Sequence, residues 1–128
     1  MDIIGIHHLA IICSNYGRSK HFYTEVVPGS IIRETYRTER DSYKLDLALP
    51  DGTQIELFSF PNPPARPSRP EAQGLRHIAF KVSDIDQAVA ELVKKGIVVE
   101  PVRLDELTGK RFTFFPDPDQ LPIELYEK

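Results

Sequence analysis

His8, Glu56, His77 and Glu124 are the residues of this chain whose types and spacing point to chemistry. His8 precedes Glu56 by 48 positions and His77 precedes Glu124 by 47, so a His/Glu pair recurs at nearly the same interval. Two imidazoles and two carboxylates make a mixed nitrogen and oxygen donor set. Such a set suits one divalent ion of Zn, Ni, Fe, Mn or Co better than calcium or a thiolate-seeking metal. Four protein ligands leave room for one or two waters on an octahedral ion, and an open position distinguishes a catalytic metal from a structural one. Taken singly, a histidine or glutamate in a strand is more often a satisfied polar residue than a ligand. Taken together the four resist that explanation, because two carboxylates among apolar neighbours are costly unless a cation offsets them.

The elements that carry these residues follow from periodicity. Residues 4–12, IGIHHLAII, are apolar and β-branched and predict a strand buried on both faces. Strand alternation puts Leu9 and Ile11 on a helix-covered side and His8 opposite, with Ile6 and Ala10. A helix is predicted over 18–27, stopped by Pro28-Gly29, and strands near 30–37, 43–49 and 54–60, the last two joined by a Pro50-Asp51-Gly52 turn. Residues 61–74 hold five prolines and read as a stiff linker. A strand over 75–82, a helix over 84–95 with Asp84 as N-cap and Gly96 as stop, and strands near 97–103, 111–115 and 121–126 complete the chain. In each last strand, Ile55 and Leu57, or Ile123 and Leu125, face inward, so Glu56 and Glu124 face the same way as the histidines.

The order strand–helix–strand–strand–strand therefore occurs twice. RHIAFKVSD echoes HHLAIICSN, and QLPIELYEK echoes GTQIELFSF. The expected fold is α+β: two βαβββ modules, about 1–60 and 75–128, joined by the 61–74 linker within a single domain spanning 1–128.

With HHLAI, IELF, RHIAF and FFPDPDQLPIEL in place, the chain resembles the vicinal oxygen chelate superfamily, and its His/Glu/His/Glu set is similar to that of glyoxalase I. The resemblance implies a cup-shaped mixed sheet around a metal held by His8, Glu56, His77 and Glu124. It also implies that one of the two glutamates, Glu56 or Glu124, moves a proton on a metal-chelated enediolate. The hemithioacetal of a 2-oxoaldehyde and a thiol would thereby become a 2-hydroxyacyl thioester. Departures from the pattern bear on the thiol. Ile12 stands where glutathione-using members usually have Arg, Phe60 where they have Asn, and Gln120 where a glycine usually follows DPD. On the same scaffold, the alternatives are an antibiotic-binding protein, a metal-dependent epimerase, a thiol transferase and a ring-cleaving dioxygenase.

Arg66, Arg69, Arg76, Lys110 and Arg111 are candidates to hold an anionic substrate group, although a solvated surface is the ordinary role of each. His7 is expected on the helix side of its strand, packed or hydrogen-bonded, and His21 on a solvent face. Cys13 reads as a buried inert thiol; Phe58, Phe60, Phe112 and Phe114 could line a pocket, although core is the usual role of aromatic residues in strands. A net charge of −3 excludes the basic surplus that a broad nucleic-acid footprint needs. No apolar run is long enough to span a membrane, and the first strand lacks the basic flank of a signal peptide. One cysteine excludes an intrachain disulfide, so a cytoplasmic protein is expected. A small-molecule substrate and a homodimer complete the expectations.

Overall fold

The computed structural model describes residues 1–128, which divide into two compact units, Met1–Ala65 and Arg66–Lys128. The division falls inside the proline-rich segment.

In the first unit, β1 (His8–Cys13), β2 (Ser30–Arg37), β3 (Ser42–Ala48) and β4 (Gln54–Ser59) form one sheet in the order β1-β4-β3-β2. β1 runs parallel to β4 and the other pairings are antiparallel. A helical crossover begins with α1 (Tyr16–His21), whose first turn is capped by Asn15 Oδ1 accepting from Arg18 N at 3.0 Å. The single helix expected over 18–27 is instead α1 followed by a wider π-turn over Phe22–Val26. Val27 N donates to Phe22 O at 2.8 Å, and Gly29 N to Tyr23 O at 3.1 Å. A side chain at position 29 would put Cβ 2.4 Å from Tyr23 O, so only glycine allows this close exit from the helix. Phe22 and Tyr23 are buried, as are Ile11, Cys13, Leu45, Leu47, Ile55 and Leu57.

The second unit repeats the pattern. Here β5 (Ile78–Val82), β6 (Arg103–Asp105), β7 (Lys110–Pro116) and β8 (Pro122–Glu127) lie in the order β5-β8-β7-β6, with β5 parallel to β8. Between β5 and β6, α2 (Ile85–Lys94) is capped by Asp84 Oδ1, which accepts from Gln87 N at 3.0 Å. It buries Ile85 and Leu92, while Ile78, Phe115, Ile123 and Leu125 form the buried side of the sheet. The fold is thus α+β, with the two-module architecture the repeat predicted.

Four local expectations are corrected. β1 starts at His8 rather than at residue 4, because its partner β4 starts at Gln54, directly after a turn, and offers no backbone to pair earlier residues. Ile4 and Ile6 are exposed, and so is Ile12 within the strand, so β1 is covered on one face only. The strand expected near 97–103 is replaced by a shorter one at Arg103–Asp105, which overlaps it only at residue 103. Residues before it are tied to β7 by isolated bonds, Glu100 N to Phe114 O at 2.9 Å and Thr113 Oγ1 to Glu100 O at 2.6 Å. Finally, the far part of the linker is folded onto its own unit: Arg66 Nε donates to Ser68 Oγ at 2.6 Å, and Ser68 Oγ to Gln120 O at 2.8 Å. No helix is long and apolar enough to cross a membrane.

Candidate metal centre

Each unit brings one histidine onto one glutamate. His8 Nε2 lies 2.7 Å from Glu56 Oε2, and His77 Nε2 lies 2.9 Å from Glu124 Oε2. The parallel pairings explain how. Ala10 is the register partner of Glu56 and Ala79 of Glu124, so each histidine sits two residues upstream on the same sheet face. The opposite faces hold the buried Ile and Leu side chains, which fixes the orientation. The alternation read from the sequence therefore holds for all four residues.

Within the units the four residues meet two by two, and no group of three or more His, Cys, Asp or Glu side chains assembles. The chemistry of each pair fits a divalent ion. Donors at right angles on one ion, each about 2.1 Å from it, are about 3 Å apart, close to both observed separations. His77 Nδ1 is buried without a hydrogen-bond partner. His8 is held from behind, its Nδ1 sharing a 2.9 Å hydrogen bond with His7 Nδ1. His7 is exposed rather than packed under the helix.

Surroundings distinguish the two pairs, a difference the repeat conceals. Next to Glu56, β3 contributes Lys44 and Asp46. Lys44 Nζ lies 2.8 Å from Glu56 Oε1 and 3.3 Å from Asp46 Oδ1. The carboxylate of Glu56 holds the Lys44 ammonium above its ordinary pKa. Asp46 is buried directly across the ladder from Glu56, and Arg33 reaches it from β2 at 3.6 Å. Neither Lys44 nor Asp46 was singled out from the sequence, although the alternation in YKLDLA already puts both on the face of Glu56. In the second unit Phe112 and Phe114 replace this lysine and aspartate in register. The His77 ring meets Phe114 edge-on, with centroids 5.2 Å apart. Glu124 meets His77 and no lysine or arginine.

The four phenylalanines are half-buried rather than core. Arginines cover them: Arg37 stands 4.8 Å from the Phe58 ring centre and Arg103 stands 5.0 Å from that of Phe112. Ile12 and Phe60, the departures from the glutathione pattern, lie at the same end of the first unit. Ile12 pairs in register with Phe58, whose ring stacks on Phe60 at 6.0 Å. Gln120 adopts a left-handed φ of 68°, so the final turn keeps its glycine-like conformation without glycine. Asp117 Oδ1 braces that turn by accepting from Asp119 N at 2.8 Å and Leu121 N at 2.9 Å. Cys13 is buried and His21 exposed, as the sequence suggested.

Of the five cationic candidates, Arg66 donates to Ser68 and to Leu75 O, Lys110 to Lys128 O at 2.7 Å, and Arg111 to both Glu127 and Asp86. These three are structural. Arg69 and Arg76 remain loosely engaged, at 3.9 and 4.0 Å from Glu71.

This repeated sheet architecture, with a His/Glu pair in each module, defines a two-module α+β scaffold. The chain belongs to the Glyoxalase/Bleomycin resistance protein/Dioxygenase superfamily, whose model matches residues 5–125. It is 64% identical to protein YwkD of Bacillus subtilis (strain 168) over 128 residues, covering 100% of both chains. The crystal structure of a glyoxalase family protein from Enterococcus faecalis superposes with a TM-score of 0.92 at 50% identity, over 99% of this chain and 100% of that one. The fold is shared more distantly, at a TM-score of 0.76 and 20% identity over 98% and 93% of the two chains, with the fosfomycin resistance protein FosX of Listeria monocytogenes in complex with Mn(II).

Proposed function

We propose that the protein is a glyoxalase I-like lyase that converts the hemithioacetal of a 2-oxoaldehyde and a thiol into a 2-hydroxyacyl thioester. The recurrence of a His–Glu contact at equivalent positions of two repeated sheets carries this reading. His8, Glu56, His77 and Glu124 would together hold one divalent ion of Zn, Ni, Fe, Mn or Co. When bound, such an ion supplies Lewis acidity to adjacent substrate oxygens. His7 steadies His8, and Lys44 steadies Glu56.

The surroundings favour different roles for the glutamates. Glu56 already shares an oxygen with the Lys44 ammonium and is suited to anchoring. Glu124 stands among His77 and aromatic rings, without a competing lysine, and is assigned the proton transfer between neighbouring substrate carbons. Ile12 and Phe60, in place of the Arg and Asn usual in glutathione-using members, favour a thiol other than glutathione. The wild-type protein is expected to carry a divalent metal by elemental analysis. It is further expected to form thioester from methylglyoxal and at least one thiol of a panel, with Glu124→Gln reducing kcat by a factor of about a hundred or more. A metal-free wild-type protein, or one inactive with every thiol, would remove this reading.

A second copy is proposed to cover the exposed isoleucines of the first unit, giving a homodimer.

A further inference from the structure

A cavity of about 640 Å³ opens in the second unit beside His77. Its wall includes Arg69, Arg76 and Arg103 against Glu71 and Glu100, with Phe114 supplying apolar surface. Cationic groups therefore outnumber anionic ones here, in a chain whose net charge is −3. Arg103 is well positioned: its Nη2 meets Glu100 Oε2 at 2.9 Å, and its guanidinium stands 5.8 Å from the Phe114 ring centre. Arg69 and Arg76 are not. Both reach the same oxygen of Glu71, at 3.9 and 4.0 Å, the outer limit of an ion pair. A guanidinium presents five N–H donors in a fixed fork, and a carboxylate or phosphate that approaches closely can accept two at once. Two forks around one distant carboxylate oxygen leave most of that capacity unused.

We propose that Arg69 and Arg76, with Arg103, bind an oxyanion of the substrate, a carboxylate or a phosphate-type group, and that Glu71 occupies its place in the free protein. The substrate would then be a small acid whose apolar part lies against Phe114 and whose reacting end lies at His77. This names the substrate class of the proposed lyase site and rests on that reading for the role of His77. Arg103 was not a candidate from the sequence; its aromatic wall and the cavity become visible only in the fold.

The test is an NMR titration of isotope-labelled protein with 3-mercaptopropionate, methylphosphonate and the neutral 2-mercaptoethanol. Saturable shifts at the arginine side chains with at least one anion, and none with 2-mercaptoethanol, are expected; the anion that binds identifies the group. The Arg69→Gln/Arg76→Gln double variant should bind that anion about tenfold more weakly. Both side chains are largely exposed, at 79% and 73%, so this variant retains the fold. Binding that is unchanged in the double variant, or equal for the neutral thiol, would overturn the proposal. The two thiols are then assayed with methylglyoxal. Anion binding without any thioester would retain the oxyanion site and remove the lyase reading. Equal kcat/KM for both thiols would retain the lyase and overturn the proposal that these arginines bind its substrate.

Discussion

Lys44 is the side chain that most separates the two His–Glu pairs, and its contribution can be measured. It lies between Asp46 and Glu56, whose side chains are only 7% and 12% exposed, and contacts both. Replacing it with methionine leaves two nearly buried carboxylates facing each other across the β3–β4 ladder. Lys44→Met should therefore destabilise the protein by about 2 kcal/mol, seen as a lower midpoint in urea unfolding. If the proposed ion binds there, its positive charge substitutes for the lost ammonium, so added divalent metal should raise the thermal midpoint of Lys44→Met more than that of the wild type. At this scale the sequence was informative about the four ligand candidates, because type, spacing and strand parity coincide in them. It was silent on Lys44, Asp46 and Arg103, whose importance comes from partners on neighbouring strands. Strand neighbours depend on register, and register is set by turns and pairings that a single segment does not display.

At the scale of elements, the repeat and the caps of α2 were legible, whereas the Asn15 cap of α1 and segments lacking a ladder partner were not. Ile4 and Ile6 have the composition of a strand, yet the turn before β4 leaves them nothing to pair with. The crossover of the first unit has the side-chain spacing of one helix, because that spacing does not register the wider π-turn or the Tyr23 carbonyl packed against Gly29. That contact predicts that Gly29→Ala costs about 1–3 kcal/mol, measurable by urea unfolding, since a Cβ 2.4 Å from a backbone oxygen must displace the start of β2. The final turn predicts the reverse. Gln120→Gly relieves a left-handed residue and should stabilise by up to about 1 kcal/mol in the same measurement, leaving the Ser68 bond to the backbone carbonyl intact. The join between α1 and β2 predicts a pH dependence. Lys20 and Tyr16 both donate to Glu34, at 2.7 and 2.5 Å, and hold its carboxyl below the ordinary carboxylate range. A depressed pKa contributes stability above the unfolded-state value and loses it as pH falls through the folded-state value. Urea midpoints of wild type and Glu34→Gln should therefore differ at neutral pH and converge in acid; a gap that persists at the acid end would mean the Glu34 charge is not its source.

At the scale of the whole molecule, the first unit has an edge that a monomer leaves uncovered. β2 is the outer strand of its sheet and pairs only with β3. Its register shifts between Ile31 and Arg33, and this irregularity leaves Ile31 and Ile32 half-exposed, at 51% and 52%. An edge strand with unpaired backbone groups and apolar side chains invites association, and natural edges are usually blunted by charge for that reason. Arg33 and Glu34 supply charge further along β2, but no charged residue interrupts the isoleucine pair itself. A second copy seated on this edge would bury both isoleucines and supply the missing strand partner. Sedimentation velocity at micromolar concentration is thus expected to show a dimer for the wild type and a monomer for Ile31→Lys/Ile32→Lys, a variant whose changed side chains lie outside the buried core and whose circular dichroism should remain that of the wild type. A wild type that sediments as a monomer, or a variant that stays dimeric, would show that this edge does not hold the chains together. Metal content measured on both proteins would then tell whether the four ligands need the second copy: an ion retained by the monomeric variant at one per chain locates the complete set within a single chain.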